Sequence, residues 1–186
     1  MKKLLCKWLF HLLGWTYVVT VPDYKKCILC VAPHTSNWDF FYGKLYYTML
    51  GKQAMFLMKK EMFVWPLGWF FRRMGGIPVD RSHKTHLTDR LASLAKRSEH
   101  FRLTITPEGT RSLNPDWKVG FYYIALKAGI PILLYGLDYK KKQVVCTQAL
   151  FPSGNLEEDM DKIKHYFEHF GAKHPAQFTV GKFHNK

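Results

Sequence analysis

The chain has 186 residues, the length of one domain, and a formal net charge of +14 from 28 Lys and Arg against 14 Asp and Glu. Hydrophobic residues make up 47% and aromatics 16%, which excludes a disordered basic tail; 4 cysteines in this length exclude a disulfide scaffold. Strong positive charge with heavy aromatic content leaves two partner classes: nucleic acid, or an anionic membrane surface or phosphorylated substrate.

From Lys2 to Thr20 lysines interrupt a run of Leu, Trp and Phe. Lys3, Lys7 and His11 fall four apart, so on a helix they form one polar stripe opposite a broad apolar face. The stretch free of formal charge, Trp8 to Pro22, is shorter than the about 20 apolar residues a spanning helix wants. Thr20-Val21-Pro22 is not a small-residue cleavage site. The pattern predicts an amphipathic helix over 1–21 lying in a membrane interface, its lysines toward anionic head groups. Packing of the same helix on the domain's own core is one alternative, and a single short spanning helix is another.

A strand is predicted over 27–32. It leads through Pro33-His34-Thr35-Ser36-Asn37-Trp38-Asp39 into a helix over 38–50 with Ser36 as N-cap. His34 then sits in the connecting loop and Asp39 in the first helical turn. A carboxylate so placed can hold one imidazole nitrogen, fixing the tautomer and leaving the other nitrogen to accept a proton. Ser36-x-x-Asp39 also fits a capping box, where the acid serves the helix start alone.

Next comes a strand over 54–58, then a segment in which Lys59, Lys60, Arg72 and Arg73 bracket Phe63, Trp65, Trp69 and Phe70. Such a segment suits a head-group interface and, equally, a buried helix pair. Gly75-Gly76-Ile77-Pro78-Val79-Asp80-Arg81 reads as a turn, a short extended stretch and an Asp-Arg pair. A helix over 84–97 precedes a strand over 101–106, which runs into Pro107-Glu108-Gly109-Thr110-Arg111-Ser112. That turn exposes backbone N–H groups suited to an anion or a developing oxyanion, and Arg111 can grip a phosphate through two parallel hydrogen bonds.

A helix over 119–128 stops at Gly129-Ile130-Pro131. Strands over 132–139 and 144–150, a helix over 156–170 opening on Asn155, and a strand over 177–181 complete the chain. Strands alternating with helices predict an α/β domain with a central mixed or largely parallel sheet flanked by helices. It spans 22–186 behind the N-terminal helix, with chemistry in the loops at the strand ends. Cys27-x-x-Cys30 looks like half of a metal site. Side chains three apart in a strand point to opposite faces, however, and Cys6 and Cys146 supply no second pair, so no metal is expected.

In this order and spacing the segments resemble the glycerophosphate acyltransferase superfamily, whose best-known members are the 1-acyl-sn-glycerol-3-phosphate (lysophosphatidate) acyltransferases. The family's His-x4-Asp motif matches His34 and Asp39, and its Gly-rich stretch ending in Asp-Arg matches Gly75 to Arg81. Its Pro-Glu-Gly-Thr-Arg-Ser motif matches Pro107 to Ser112 without a gap, and its Pro-led apolar strand matches Ile130-Pro131-Ile132. Lys59-Lys60-Glu61 with Pro66-x-Gly68, and Lys118-x-Gly120, are similar to the family as well.

The resemblance implies an O-acyltransferase in which His34 is the general base and Asp39 orients and polarises it. The acceptor oxygen attacks the thioester of acyl-CoA or acyl carrier protein directly, with no acyl-enzyme and no cofactor. Arg81 and Arg111 become anion-binding residues, Glu108, Gly109 and Thr110 belong to the acceptor pocket, and Lys59 and Lys118 are further substrate-binding candidates. The implied acceptor is a lysophospholipid such as 1-acyl-glycerol-3-phosphate, in phospholipid biosynthesis, on the cytoplasmic face of a membrane as a peripheral or monotopic protein. An amine-containing or other polar lipid stays open as acceptor, because His34 would activate either nucleophile. Anionic lipid is the expected surface partner. Nucleic acid is not, since no recognised nucleic-acid motif is present and the basic residues are spread along the chain.

Overall fold

The computed structural model describes residues 1–79 and 87–183. In chain order the elements are α1 (Lys2–Leu12), β1 (Thr16–Val19), β2 (Lys26–Ala32), α2 (Asn37–Met49), β3 (Met55–Lys59), α3 (Leu67–Arg73) and β4 (Gly76–Val79). They continue with α4 (Leu87–Arg97), β5 (Phe101–Ile105), α5 (Gly120–Ala128), β6 (Ile132–Asp138), β7 (Gln143–Cys146), β8 (Ala149–Leu150) and α6 (Leu156–Phe167). Among the described residues the strands form one mixed, largely parallel sheet in the order β1-β7-β6-β2-β5-β3-β4, with β8 also on β6. Strands β2 to β6 run parallel; β7 and β8 are antiparallel to β6, and β1 is parallel to β7.

The central strands β2 and β6 are almost continuously buried, and β5 buries Phe101 and Leu103 at alternate positions, because helices cover both faces of the sheet. Alternate residues of β2 therefore feed two cores. Ile28, Cys30 and Ala32 pack with Leu91 of α4, Phe121 of α5 and Ile163 of α6. Cys27 and Leu29 pack with Phe10 of α1, Tyr46 of α2 and Trp15. Burying each large apolar side chain in this way contributes about 1.5–3 kcal/mol. Helix ends follow local chemistry. The Ser36 hydroxyl accepts from Trp38 N at 3.2 Å to cap α2, Asn155 Oδ1 accepts from Glu158 N at 3.3 Å to cap α6, and Gly129 closes α5 in the left-handed region at φ 67°.

Three sequence-based expectations are corrected. The N-terminal helix stops at Leu12, and Thr16–Val19 is an edge strand on β7. Gly14 at φ 76° makes the turn between them, and β-branched residues after it satisfy their backbone better in a ladder than in a helix. The run over 144–150 is broken: Gly136 faces Val145 but Leu133 faces Ala149, so the pairing slips by one residue across Thr147-Gln148 as a β-bulge. Residues 177–181 are not a strand. A short 3-10 turn, Pro175–Gln177, leads into a segment held by side chains, with Trp117 Nε1 donating to Thr179 O at 3.0 Å. No helix among the described residues is long and apolar enough to cross a membrane.

Candidate active site

The carboxyl ends of the parallel strands share one edge of the sheet, and the loops leaving β2, β5 and β6 there bring three distant residues together. This is the usual place for ligands in open α/β sheets. Ala32 ends β2 and is joined to Pro33 by a cis peptide bond; His34 follows, half-buried. Its Nδ1 lies 3.2 Å from Asp39 Oδ2, at ion-pair distance though not aligned as a hydrogen bond.

Asp39 is buried and saturated with partners. Oδ2 accepts from Thr35 N and Ser36 N, both at 2.8 Å, while Oδ1 accepts from the Tyr139 hydroxyl at 2.5 Å. The capping box that the sequence offered as a competing reading is therefore present, and it is also what aims the carboxylate at His34. One side chain does both. Tyr139 follows the last residue of β6, and burial, reinforced by its bond to Asp39, pushes its phenol well above the ordinary value.

Glu108 enters from the loop after β5. It is only 1% exposed, and its Oε1 accepts from the His34 backbone N at 2.7 Å. Burial raises its carboxyl from 4.5 to about 8, the His34 N–H opposes the rise, and the Asp39 charge adds to it. Gly109 makes the turn at φ 68°, a region that favours glycine, and an added Cβ there would come 3.3 Å from Lys118 Cγ. Lys118 N donates to Pro107 O at 2.7 Å, and Asn114 Nδ2 donates to Glu108 O at 2.7 Å, so this loop is braced from within.

The candidates divide by position. Asp39 and Glu108 each touch His34, one at the ring and the other at the backbone N–H, while Gly109, Thr110, Arg111 and Lys118 lie on the adjoining exposed loop. Thr110 Oγ1 accepts from Ser112 N at 3.3 Å and so faces its own loop. The Arg111 side chain is exposed. Lys59 ends β3 at the same edge but two strands away from β2, about 10 Å by strand spacing. Arg81 lies outside the described residues.

Two contributors escaped the sequence. Tyr139 was read only as the end of a strand. Gln177 belongs to the C-terminal segment, where its amide donates to Thr35 O at 3.2 Å and to Arg111 O at 3.1 Å, tying the His34 loop to the Glu108 loop. His174 N adds a bond to Thr35 Oγ1 at 3.2 Å, and Lys173 Nζ lies 4.9 Å over the Trp38 ring. No local signal marks either residue, because each acts through partners in other elements. Cys30 and Cys27 point into opposite cores, and burial pushes the Cys27 thiol up to about 12.

The Acyltransferase family model matches residues 6–134. Among solved structures, the 1-acyl-sn-glycerophosphate (LPA) acyltransferase PlsC from Thermotoga maritima superposes with a TM-score of 0.61 at 20% identity, covering 89% of this chain and 75% of that one. At that identity the likeness establishes the fold. No curated protein matches the sequence.

Proposed function

The chain belongs to the Acyltransferase family, and from that premise we propose that it moves a fatty acyl group from acyl-CoA or acyl carrier protein to the hydroxyl of a lysophospholipid such as 1-acyl-glycerol-3-phosphate. The observation that carries this reading is the approach of His34 Nδ1 to Asp39 Oδ2 at 3.2 Å, at the sheet edge where the Glu108 loop also arrives. A carboxylate that close to Nδ1 favours electrostatically the tautomer with the proton on that nitrogen, which leaves the Nε2 lone pair free.

His34 Nε2 takes the proton of the acceptor hydroxyl as the oxygen attacks the thioester carbonyl carbon. The tetrahedral intermediate collapses, the C–S bond breaks, and the leaving thiolate takes the proton back from the imidazolium. An ester and a free thiol result, and His34 returns to its starting state. Such acid–base help is worth about 10²–10⁴ in rate. Arg111 and Lys118, exposed on the Glu108 loop, supply the positive charge that an acceptor phosphate requires. Arg81 and Lys59 are further candidates for the same anion. Glu108, buried against the His34 backbone, shapes the pocket from beneath.

Incubation of the purified protein with 1-acyl-glycerol-3-phosphate and labelled acyl-CoA or acyl carrier protein, with the lipid products resolved, tests the reading. Labelled diacyl product that vanishes in His34→Ala supports it. Transfer that survives His34→Ala removes the mechanism, and labelling of an amine lipid alone reassigns the acceptor.

A further inference from the structure

Helices α1 and α3 are far apart in sequence but lie on the same side of the sheet. Helix α1 buries Phe10 against Trp15 and Tyr46 and turns Leu5, Trp8 and Leu12 outward, at helical spacings of three and four. The position of α3 follows from β4. Ile77 packs into the core under α4, α5 and α6, so the neighbouring Gly76 faces the opposite side. A Cβ on Gly76 would meet Phe71 O at 2.8 Å and Phe63 Cζ at 3.2 Å, which places α3 and the segment before it on the α1–α2 side. Lys44 of α2 donates to Met74 O at 2.8 Å and ties α3 to that layer.

On this layer Trp65 is 91% exposed and Trp69 67%, with Leu67 and Phe70 half exposed beside them, and Trp38 of α2 is half exposed as well. On the helices of the opposite layer, by contrast, Leu94, Tyr123 and Leu126 are only modestly exposed. Scattered exposed apolar residues of that kind are ordinary, whereas a concentration on one side marks a contact surface.

Charge identifies the partner. Residues 1–79 hold 11 Lys and Arg against 3 Asp and Glu. Of those acids Asp39 is buried in the site and Asp23 is paired with Lys52 at 2.9 Å and Arg102 at 3.0 Å, which leaves Glu61 exposed before α3 against the exposed Lys59, Lys60, Arg72 and Arg73 around it. On α3, Arg72 stands 5.3 Å over the Phe63 ring and Arg73 5.6 Å over the Trp69 ring. Aromatic rings with cations on their faces suit the head-group level of a bilayer, rings toward the acyl chains and cations toward phosphates. A second copy of this chain fits less well, because an isologous contact would set the same cationic surface against itself.

We propose that the α1–α3 side of the sheet is the docking face for an anionic lipid bilayer, with Trp65 and Trp69 as a second contact alongside α1. Strand β3 delivers the chain to this contact from the edge that carries His34, so docking sets the catalytic edge beside the lipid. The inference rests on the lipid-acceptor reading for its purpose, but it is measured without any substrate.

The full chain is floated with vesicles of equal phosphatidylglycerol and phosphatidylcholine, and with phosphatidylcholine alone. Wild type binds the anionic vesicles more tightly than the neutral ones. Trp65→Ser with Trp69→Ser lowers anionic binding by about tenfold, as does Trp8→Ser. Tyr123→Ser with Leu126→Ser, on the opposite layer, leaves it unchanged. Far-UV circular dichroism reports folding of each variant. In a second measurement brominated phosphatidylcholine in the vesicles quenches wild-type tryptophan fluorescence, and the quenched fraction falls in Trp65→Phe with Trp69→Phe. Undiminished binding by the α3 variants, an equal loss in the opposite-layer control, or no vesicle binding at all overturns the proposal. Self-association that the α3 variants abolish, without vesicle binding, reassigns the face to a second copy. His34→Ala should bind vesicles like wild type, so failure of docking and failure of acyl transfer are read apart.

Discussion

The Tyr139 hydroxyl donates to Asp39 Oδ1 at 2.5 Å from 100 residues further along the chain. The contact leaves both oxygens of a buried carboxylate occupied, one by the phenol and the other by two backbone amides facing His34. Strand β6 thus holds the residue that orients the proposed base on the β2 loop.

Tyr139→Phe deletes that hydroxyl and keeps the ring that packs edge-on against Trp15 at 5.2 Å and Tyr42 at 6.0 Å. Leaving Oδ1 without its donor costs about 1–3 kcal/mol. The expected result is a kcat lower by about tenfold or more with KM little changed, since the acceptor pocket is untouched. Steady-state kinetics of the variant against wild type checks it; a loss confined to KM would place Tyr139 in the pocket instead.

His34→Ala and Asp39→Ala should separate catalysis from folding. His34→Ala removes a half-buried ring and is expected to abolish transfer with little change in Tm. Asp39→Ala also leaves Thr35 N and Ser36 N without their acceptor. Its expected cost is about 1–3 kcal/mol per orphaned N–H in addition to the loss of activity. Thermal unfolding of the two variants side by side shows whether Asp39 alone carries the structural share.

Glu108 ties stability to pH. Its folded carboxyl titrates at about 8 against an ordinary 4.5, so the native state binds a proton that the unfolded state has released in between. Stability from this group is full below about 4.5 and falls as pH rises toward about 8. Glu108→Gln keeps an oxygen for the His34 N–H and cannot ionise. Its Tm should therefore fall less steeply than wild type between these limits, and melts across that range decide the matter. Parallel slopes would mean that Glu108 is not held neutral.

Gln177→Ala removes the amide that spans Thr35 O and Arg111 O. Both carbonyls belong to loops of the site, and loosening them is expected to lower kcat/KM by about tenfold, within the cost of one or two hydrogen bonds. Amide exchange should quicken in residues 33–38 and 107–114 while the core strands stay protected. Unchanged exchange in both loops would confine Gln177 to the tail.

Much of the fold was legible in local patterns. Strands β2 and β6 are largely apolar runs, β5 carries Phe101, Leu103 and Ile105 at alternate positions, and α2, α5 and α6 announce themselves through Ser36, Gly129 and Asn155. Strand β1 was not: the lysines and aromatics before it carried a helical pattern past Gly14, and only pairing with β7 makes Thr16–Val19 extended. The bulge at Thr147-Gln148 and the irregular segment after Gln177 were hidden for the same reason, since each answers to a neighbour that local periodicity does not see.

The sequence by itself determined where the candidate site lies: an imidazole and a carboxylate five residues apart between a strand and a helix, and a Pro-Glu-Gly-Thr-Arg-Ser turn after a later strand. Spacing within one loop is enough to place His34 beside Asp39, because the capping box closes over so few bonds. Tertiary structure alone decided that Glu108 would support the His34 backbone from a buried position, that Tyr139 and Gln177 would hold the two loops, and that α1 and α3 would share a face. Those relationships join residues tens of positions apart. They exist only once parallel strands set their carboxyl ends on one edge, and once the alternation of side chains along each strand assigns every helix to one side of the sheet or the other.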